Sequence, residues 1–103
     1  MYARNISLRL KPGCIQRFEE TFKSRLLPLL SLQQGFQDEL TYSGASMLDV
    51  TLITIWDSQK DADAFGRAMS PEMMRHLEDV IDEAPSVRSS GTVSSVYKNA
   101  AAL

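Results

Sequence analysis

The sequence predicts an α+β domain whose elements follow in the order strand, helix, strand, strand, helix, strand. Residues 4–10 show the period of two that is typical of β-strands, and residues 47–56 form a run rich in β-branched residues that also indicates a strand. Residues 15–29 and 62–81 carry apolar residues at the spacing of amphipathic helices. Turn-forming Pro, Gly and Ser separate these segments. A chain of 103 residues, 44% of them hydrophobic, has the size and make-up of one domain, residues 1–103.

The first strand and the first helix are predicted by clear patterns. Apolar and polar residues alternate over residues 4–10, which indicates a strand with one covered face, and Pro12 and Gly13 end it. The first helix follows Gly13 and contains Pro28, which lacks a backbone donor, so we expect this helix to kink or to end at Pro28. The apolar face of this helix consists of Ile15, Phe18, Phe22, Leu26 and Leu29.

Residues 36–43 and 47–56 form a predicted hairpin around a short turn. In residues 36–43 the pattern places Phe36 on the same side as Leu40 and Tyr42. The second strand is rich in β-branched residues and is apolar on both faces in its second half. This composition predicts a strand that is covered on both sides.

The second helix is expected in two pieces. Ser58, with Asp61 three residues on, resembles a capping box, and residues 70–72 (Ser-Pro-Glu) form a second start signal. We expect the second piece to run to about Glu83, before a break at residues 84–86. The last strand is predicted from about Ser90 to Tyr97, followed by a frayed tail.

Composition excludes several classes of function. The chain has one cysteine and one histidine, which excludes an internal disulfide and a metal site made of several such residues. No apolar run approaches the roughly 20 residues that span a bilayer, and the N-terminus lacks the apolar segment of a signal peptide. The net charge of −2 gives no reason to bind nucleic acid. We therefore expect a soluble, cytoplasmic domain without a metal site and without a nucleic-acid or membrane partner.

Charge is spread unevenly along the chain. Residues 1–37 hold six basic and two acidic residues, whereas residues 49–83 hold nine acidic and three basic residues. We interpret the two segments as surfaces that complement each other in the fold or in a dimer.

The predicted order, βαββαβ, is that of ferredoxin-like domains, in which a four-stranded antiparallel sheet carries its helices on one face. The other face would stay open, although the central hairpin is apolar on both sides. An exposed apolar sheet face is an association surface, so we expect a homodimer that packs through its sheets.

Four segments carry a resemblance to a known family. They are Leu8 to Gly13, Gln34 to Glu39, Ile53 to Ser58, and Met69 to Glu72 leading toward His76. In this order and spacing they resemble the dimeric α/β-barrel superfamily, and within it the antibiotic-biosynthesis-monooxygenase-like domains. The resemblance covers roughly residues 4–97 and implies a dimeric α/β barrel.

The resemblance implies two chemistries. Some members of the family oxidise polycyclic aromatic phenols with dioxygen and without metal or flavin. Others bind and degrade heme with an asparagine on the first strand, a tryptophan on the second helix and a histidine as axial ligand. His76 lies near the position of that histidine, but Phe65 stands at the tryptophan position and Ile6 at the asparagine position. Two of the three features therefore differ from the heme-degrading members.

His76 is the candidate catalytic base or heme ligand, since imidazole exchanges protons near neutral pH. It also fits a histidine at the helix edge that is bonded to a nearby backbone group, to Glu72 or to Asp79. Thioethers and aromatic rings suit a pocket for a flat apolar ligand, although the same spacing also fits plain core. The candidate substrate-binding residues are Asn5, Tyr42, Trp56, Phe65, Met69 and Met73.

Three hypotheses follow. The first is a cofactor-independent monooxygenase acting on a small aromatic or phenolic compound. The second is a heme-binding or heme-degrading protein with His76 as axial ligand. The third is a dimer that binds a small apolar molecule without catalysis.

Overall fold

The computed structural model describes residues 1–94. Its elements follow the predicted order. The strands are β1 (Tyr2–Leu10), β2 (Phe36–Ser43), β3 (Asp49–Trp56) and β4 (Ile81–Thr92). The helices are α1 (Ile15–Thr21), α2 (Leu27–Ser31), α3 (Gln59–Ala68) and α4 (Ser70–Leu77), with a π-helical turn over Phe22–Leu26 between α1 and α2.

The four strands form one antiparallel sheet in the order β2-β3-β1-β4. Strands β1 and β3 are central, and Leu8 pairs with Val50 between them. Because all the pairs are antiparallel and the outer strands are β2 and β4, the predicted ferredoxin-like sheet is confirmed.

One face of the sheet carries the hydrophobic core under the helices. Leu8 and Leu10 of β1 and Val50 of β3 are buried there. The helices bury Phe18 and Leu26 against this face. Helices therefore cover a single side of the sheet, as predicted.

The opposite face is open in the single chain. Leu40 and Tyr42 are 58% and 54% exposed, and Ile53 and Ile55 beside them on β3 are half-buried. Strand β3 is thus apolar on both faces, but in the single chain only its helix side is covered, so the predicted cover on the open face stays a prediction. One expectation for β2 was wrong: a register shift between Phe36 and Asp38 moves Phe36 to the helix side, opposite Trp56.

The last strand differs most from the prediction. Helix α4 ends at Leu77, and β4 begins at Ile81, nine residues before Ser90. The predicted break at Pro85 lies inside this strand. Proline is tolerated there because β4 is an edge strand whose register against β1 shifts repeatedly. The predicted end of the strand at Tyr97 and the predicted frayed tail lie outside the described residues.

The first helix continues through Pro28 to Ser31. The irregularity that Pro28 imposes appears one turn earlier, as the π-helical stretch Phe22–Leu26. Proline cannot donate to the carbonyl four residues before it, and a π-turn accommodates the missing bond without ending the helix.

Ion pairs join the basic beginning of the chain to its acidic later part. Arg4 lies 2.6 Å from Asp63. Arg9 lies 3.8 Å from Asp49, and Arg17 lies 3.5 Å from Asp79, between the nearest nitrogen and oxygen atoms. The uneven charge thus complements itself within the fold, which is one of the two arrangements expected from the sequence.

Candidate functional site

An apolar pocket of about 180 Å³ lies between the helix-covered face of the sheet and helices α3 and α4. Among the described residues that line it, no side chain is ionisable and Ser86 alone carries a hydroxyl. The pocket can therefore hold apolar surface and exclude water from it. Its lining consists of Ile6, Leu8, Leu52, Phe65, Met73, Met74, Leu77, Pro85, Ser86 and Val87.

The periodicity of the elements brings these side chains together. Met73 and Leu77 are one helical turn apart on α4, so both face the sheet. Ile6 and Leu8 alternate onto the same face of β1. Val87 of β4 lies opposite Ile6 and is 57% exposed, which places it at the open side of the pocket.

An aromatic cluster supports the wall of the pocket. The Phe65 ring lies 5.1 Å from the Trp56 ring between centroids, and the Phe36 ring meets Trp56 edge-on at 5.5 Å. Trp56 is 1% exposed, and its Nε1 donates to Thr54 Oγ1 at 2.9 Å. Because its polar atom is bonded inside the core, Trp56 supports Phe65 from behind and does not line the pocket.

The structure brings two predicted site residues together in the pocket, Phe65 and Met73. Met69 packs against the core at the end of α3 but lies outside the pocket lining. Trp56 lies one layer behind.

Two predicted site residues lie on the opposite, open face of the sheet. Asn5 pairs with Ile53, and its Nδ2 donates to Ser89 Oγ at 2.8 Å. Tyr42 pairs with Thr51 on the same face. Neither lines the apolar pocket of its own chain, because the sheet lies between.

His76 is exposed on α4 and lies outside the pocket lining. Leu77, the next residue, is buried and lines the pocket, whereas His76 lies at the solvent-exposed edge of the helix. The lining of this pocket does not include His76, so the pocket gives no support to a heme with His76 as its axial ligand. The role of His76 as a base stays a prediction.

Sequence reasoning missed much of the pocket wall. Met74 and Leu77 follow from the same helical period that indicated Met73. Pro85 and Ser86 were missed because the sequence predicts a break there, and Val87 was missed because the last strand is predicted only from about Ser90.

Within residues 1–94, no group of three or more His, Cys, Asp or Glu side chains is placed to hold a metal ion. No helix among these residues has the length and apolarity needed to cross a membrane.

Comparison with known proteins shows what this fold is. No family model and no curated protein matches the chain. A monooxygenase from the gene ActVA-Orf6 of Streptomyces coelicolor, solved in complex with the ligand Nanaomycin D, superposes with a TM-score of 0.77 and 14% identity over 94% of this chain and 90% of that one. The chain has the fold of antibiotic-biosynthesis-monooxygenase-like proteins.

Two further structures share this fold. An antibiotic biosynthesis monooxygenase superposes with a TM-score of 0.72 and 10% identity, over 92% of this chain and 100% of that one. A protein of unknown function from Nitrosomonas europaea gives a TM-score of 0.76 and 14% identity, over 96% and 94%. In our chain the antibiotic-biosynthesis-monooxygenase-like fold encloses its apolar pocket on the helix-covered side of the sheet.

Proposed function

We propose that the chain is a cofactor-independent monooxygenase that oxidises a small aromatic or phenolic compound in the apolar pocket. The pocket itself is the observation that carries the proposal. Aromatic and thioether side chains line it, and such surfaces suit a flat apolar ring. The Streptomyces coelicolor protein of the same fold is a monooxygenase with a bound ligand, which supports the reaction class.

In the proposed reaction the substrate supplies the electrons. The phenolate donates electron density to dioxygen, a C–O bond forms on the ring and the O–O bond then breaks. One oxygen atom stays on the ring as a quinone carbonyl, and the other leaves as water with the two hydrogens that the phenol loses. Phenol and dioxygen thus give quinone and water without an external reductant.

The chain's own contribution is to hold the ring and to exclude water from it. Phe65, supported by Trp56, forms a rigid wall, and Met73 and Met74 form an adaptable one. The cavity of about 180 Å³ lies below the range of roughly 300–1,000 Å³ that is common for drug-sized ligands. The proposed substrate is therefore a compound with a single ring or with two fused rings.

The role of the phenolic proton acceptor belongs to His76 in this proposal. The imidazole is exposed, so it takes the proton through water rather than by direct contact with a ligand in the pocket. The oxidation rate of His76→Ala, followed against pH, tests this step. A rate equal to that of the parent chain at every pH would remove His76 from the mechanism.

Ligand binding is measurable through Trp56, the single tryptophan of the chain, whose ring contacts Phe65. Titration with 2-naphthol is expected to change the fluorescence of Trp56 in a saturable way. Val87→Phe enlarges a residue at the open side of the pocket and is expected to weaken binding about tenfold. Leu32→Phe enlarges an exposed leucine outside the pocket and serves as the matched control.

Catalysis is tested separately by dioxygen uptake with a panel of naphthols and hydroquinones. We expect uptake and incorporation of one labelled oxygen atom into the product, both reduced in Val87→Phe. Binding without uptake across the panel would contradict the monooxygenase and favour the non-catalytic binding dimer. An absence of binding would contradict both. A hemin titration of the parent chain and of His76→Ala tests the heme alternative. No shifted Soret band, or the same band in His76→Ala, would contradict heme ligation by His76.

We also infer that the functional unit is a homodimer formed through the open face of the sheet. Leu40 and Tyr42 present apolar surface there, next to the half-buried Ile53 and Ile55. Such a contiguous patch is costly to leave in water, and a second copy covers it in a closed, symmetric way.

A further inference from the structure

A second, polar recess of about 110 Å³ lies on the open side of the sheet, across β1 and β4 from the apolar pocket. Except for Leu8, the residues that line it are charged or carry hydroxyls, whereas the apolar pocket is almost entirely hydrocarbon and thioether. Its polar lining consists of Ser7, Arg9, Asp49, Glu83, Ser86 and Arg88.

The two recesses share a wall. Leu8 and Ser86 line both of them. The ladder between β1 and β4 is discontinuous at this point, since the register passes from Ser7–Ser86 to Arg9–Glu83. Leu8 therefore faces two residues of β4, and one of these, Pro85, has no amide hydrogen to donate. The apolar pocket and the polar recess therefore meet at this irregular part of the β1–β4 edge, where Leu8 and Ser86 line both.

The charges of the polar recess are unequally compensated. Arg9 lies 3.8 Å from Asp49 and pairs in register with Glu83, so two carboxylates flank it. Arg88 falls in the register shift between Val87 and Ser89 and is exposed. Within residues 1–94 it forms no ion pair. Arg88 is thus the cation that is available to an incoming anion.

We propose that the two recesses form one composite site for an aromatic compound that carries an acidic substituent. The ring lies in the apolar pocket beside Phe65 and Met73, and the carboxylate lies past Ser86 against the Arg88 guanidinium. Arginine suits this role because its planar fork of N–H donors matches a carboxylate. The inference rests on the apolar pocket of the proposed function and adds the substrate's charge to it.

Dimerisation through the open face would strengthen this contact. A second copy that also covers β1 and β4 would reduce the access of water to the polar recess, and charge–charge attraction grows as the local dielectric falls. A carboxylate held there would be fixed more firmly than at an exposed arginine.

The test compares two probes of equal ring size by Trp56 fluorescence. They are 6-hydroxy-2-naphthoate, which carries the carboxylate, and its neutral methyl ester. We expect the parent chain to bind the carboxylate about fivefold to tenfold more tightly than the ester. In Arg88→Gln the two affinities are expected to become equal, with the ester unchanged. Arg67→Gln removes an exposed arginine that lines neither recess, and it is expected to keep the preference.

Two outcomes separate this inference from the proposed function. The composite site is wrong if the parent chain binds the ester and the carboxylate equally tightly, or if Arg88→Gln still binds the carboxylate more tightly. In either case the proposal of a ligand in the apolar pocket is unaffected. If neither probe binds, both proposals fail together. Rising salt is expected to weaken binding of the carboxylate and not of the ester, and equal salt dependence would also count against Arg88.

Discussion

Phe65 illustrates how one residue connects the core to the site. One side of its ring packs on Trp56 at 5.1 Å, and the side chain also lines the apolar pocket. By the family resemblance, Phe65 stands at the position where the heme-degrading members carry tryptophan. A phenylalanine offers a ligand the same apolar contact but no N–H donor. The pocket is therefore suited to holding a ring rather than to polarising one.

Glu39 is the residue whose ionisation the fold opposes most clearly. It lies opposite Thr54 on the helix side of β2 and is half-buried. Burial raises the pKa of its carboxyl group, and a hydrogen bond from the Thr41 hydroxyl offsets part of the effect. A raised pKa in the folded state favours the neutral form. The protonated Glu39 carboxyl therefore stabilises the fold fully below the ordinary pKa of Glu. This stabilisation is lost as the pH rises through the pKa of Glu39 in the folded state.

Glu39→Gln keeps the shape of the side chain and removes the charge. We expect it to raise the free energy of unfolding at pH 7 by less than about 1 kcal/mol, because the half-buried group keeps part of its hydration. At pH 3 the parent carboxyl is protonated and the gain is expected to vanish. Urea denaturation at both pH values measures this. Glu19→Gln, on the exposed side of α1, is the control, and an equal effect there would contradict the assignment.

The junction of β2 and α3 depends on a glycine. Gly35 has a φ of +79°, and a Cβ at this position would overlap the Asp61 carboxylate and lie 2.8 Å from Asp61 Cβ. Asp61 in turn donates its amide hydrogen to Ser58 Oγ at 3.2 Å, which confirms the predicted cap of α3. The start of the helix that carries Phe65 is therefore packed directly against the start of β2.

Gly35→Ala is expected to lower the free energy of unfolding by about 2–4 kcal/mol. The cost of a left-handed backbone at alanine and the cost of the overlap with Asp61 add to this value. Gly13→Ala is the matched control: Gly13 has a φ of +77° but nothing within 4 Å of its Cβ position. It is expected to cost only about 1–2 kcal/mol for the backbone. Thermal or urea unfolding gives both values. Equal losses would mean that Asp61 moves aside freely.

At the level of elements, prediction succeeded where one physical signal dominated. Strand β1 and helix α3 follow from clean periodicity, and the Ser58 cap follows from side-chain chemistry. Strand β4 was misplaced because Pro85 and its small neighbours resemble a turn. Its pairing with β1 depends on contacts far away in sequence and on its place at the sheet edge, and local patterns do not contain these.

The candidate site was predictable to the same extent. Phe65 and Met73 share a helical stripe that must face the sheet, and the structure places both in the pocket. His76 lies at the border of that stripe, where a rotation of the helix by a fraction of a turn decides between pocket and solvent. Asn5 and Tyr42 lie on the other side of the sheet. Strand periodicity assigns residues to a face but does not tell which face holds a ligand, so the sequence could not exclude these two from the pocket.

For the whole molecule, we expect the open face of the sheet to decide the state of assembly. Its apolar half lies on β2 and β3, where Leu40 and Tyr42 are more than half exposed. We expect the parent chain to sediment as a dimer. Leu40→Lys places a charge in that patch, where a second copy would bury it without a partner, and such a burial costs more than the roughly 1.4 kcal/mol that corresponds to a tenfold change in Kd. We therefore expect the dimer to be weakened at least about tenfold.

Leu32→Lys is the control for this change, since Leu32 is 81% exposed just beyond α2 and lies outside the sheet. It is expected to leave the dimer intact. Sedimentation equilibrium at several protein concentrations gives the dissociation constants, and circular dichroism verifies that both variants stay folded. A parent chain that is monomeric at every concentration, or a Leu40→Lys dimer as tight as that of Leu32→Lys, would show that the open face is not the interface. In that case the apolar half of the sheet would need a different occupant, and the polar recess around Arg88 would stay open to solvent.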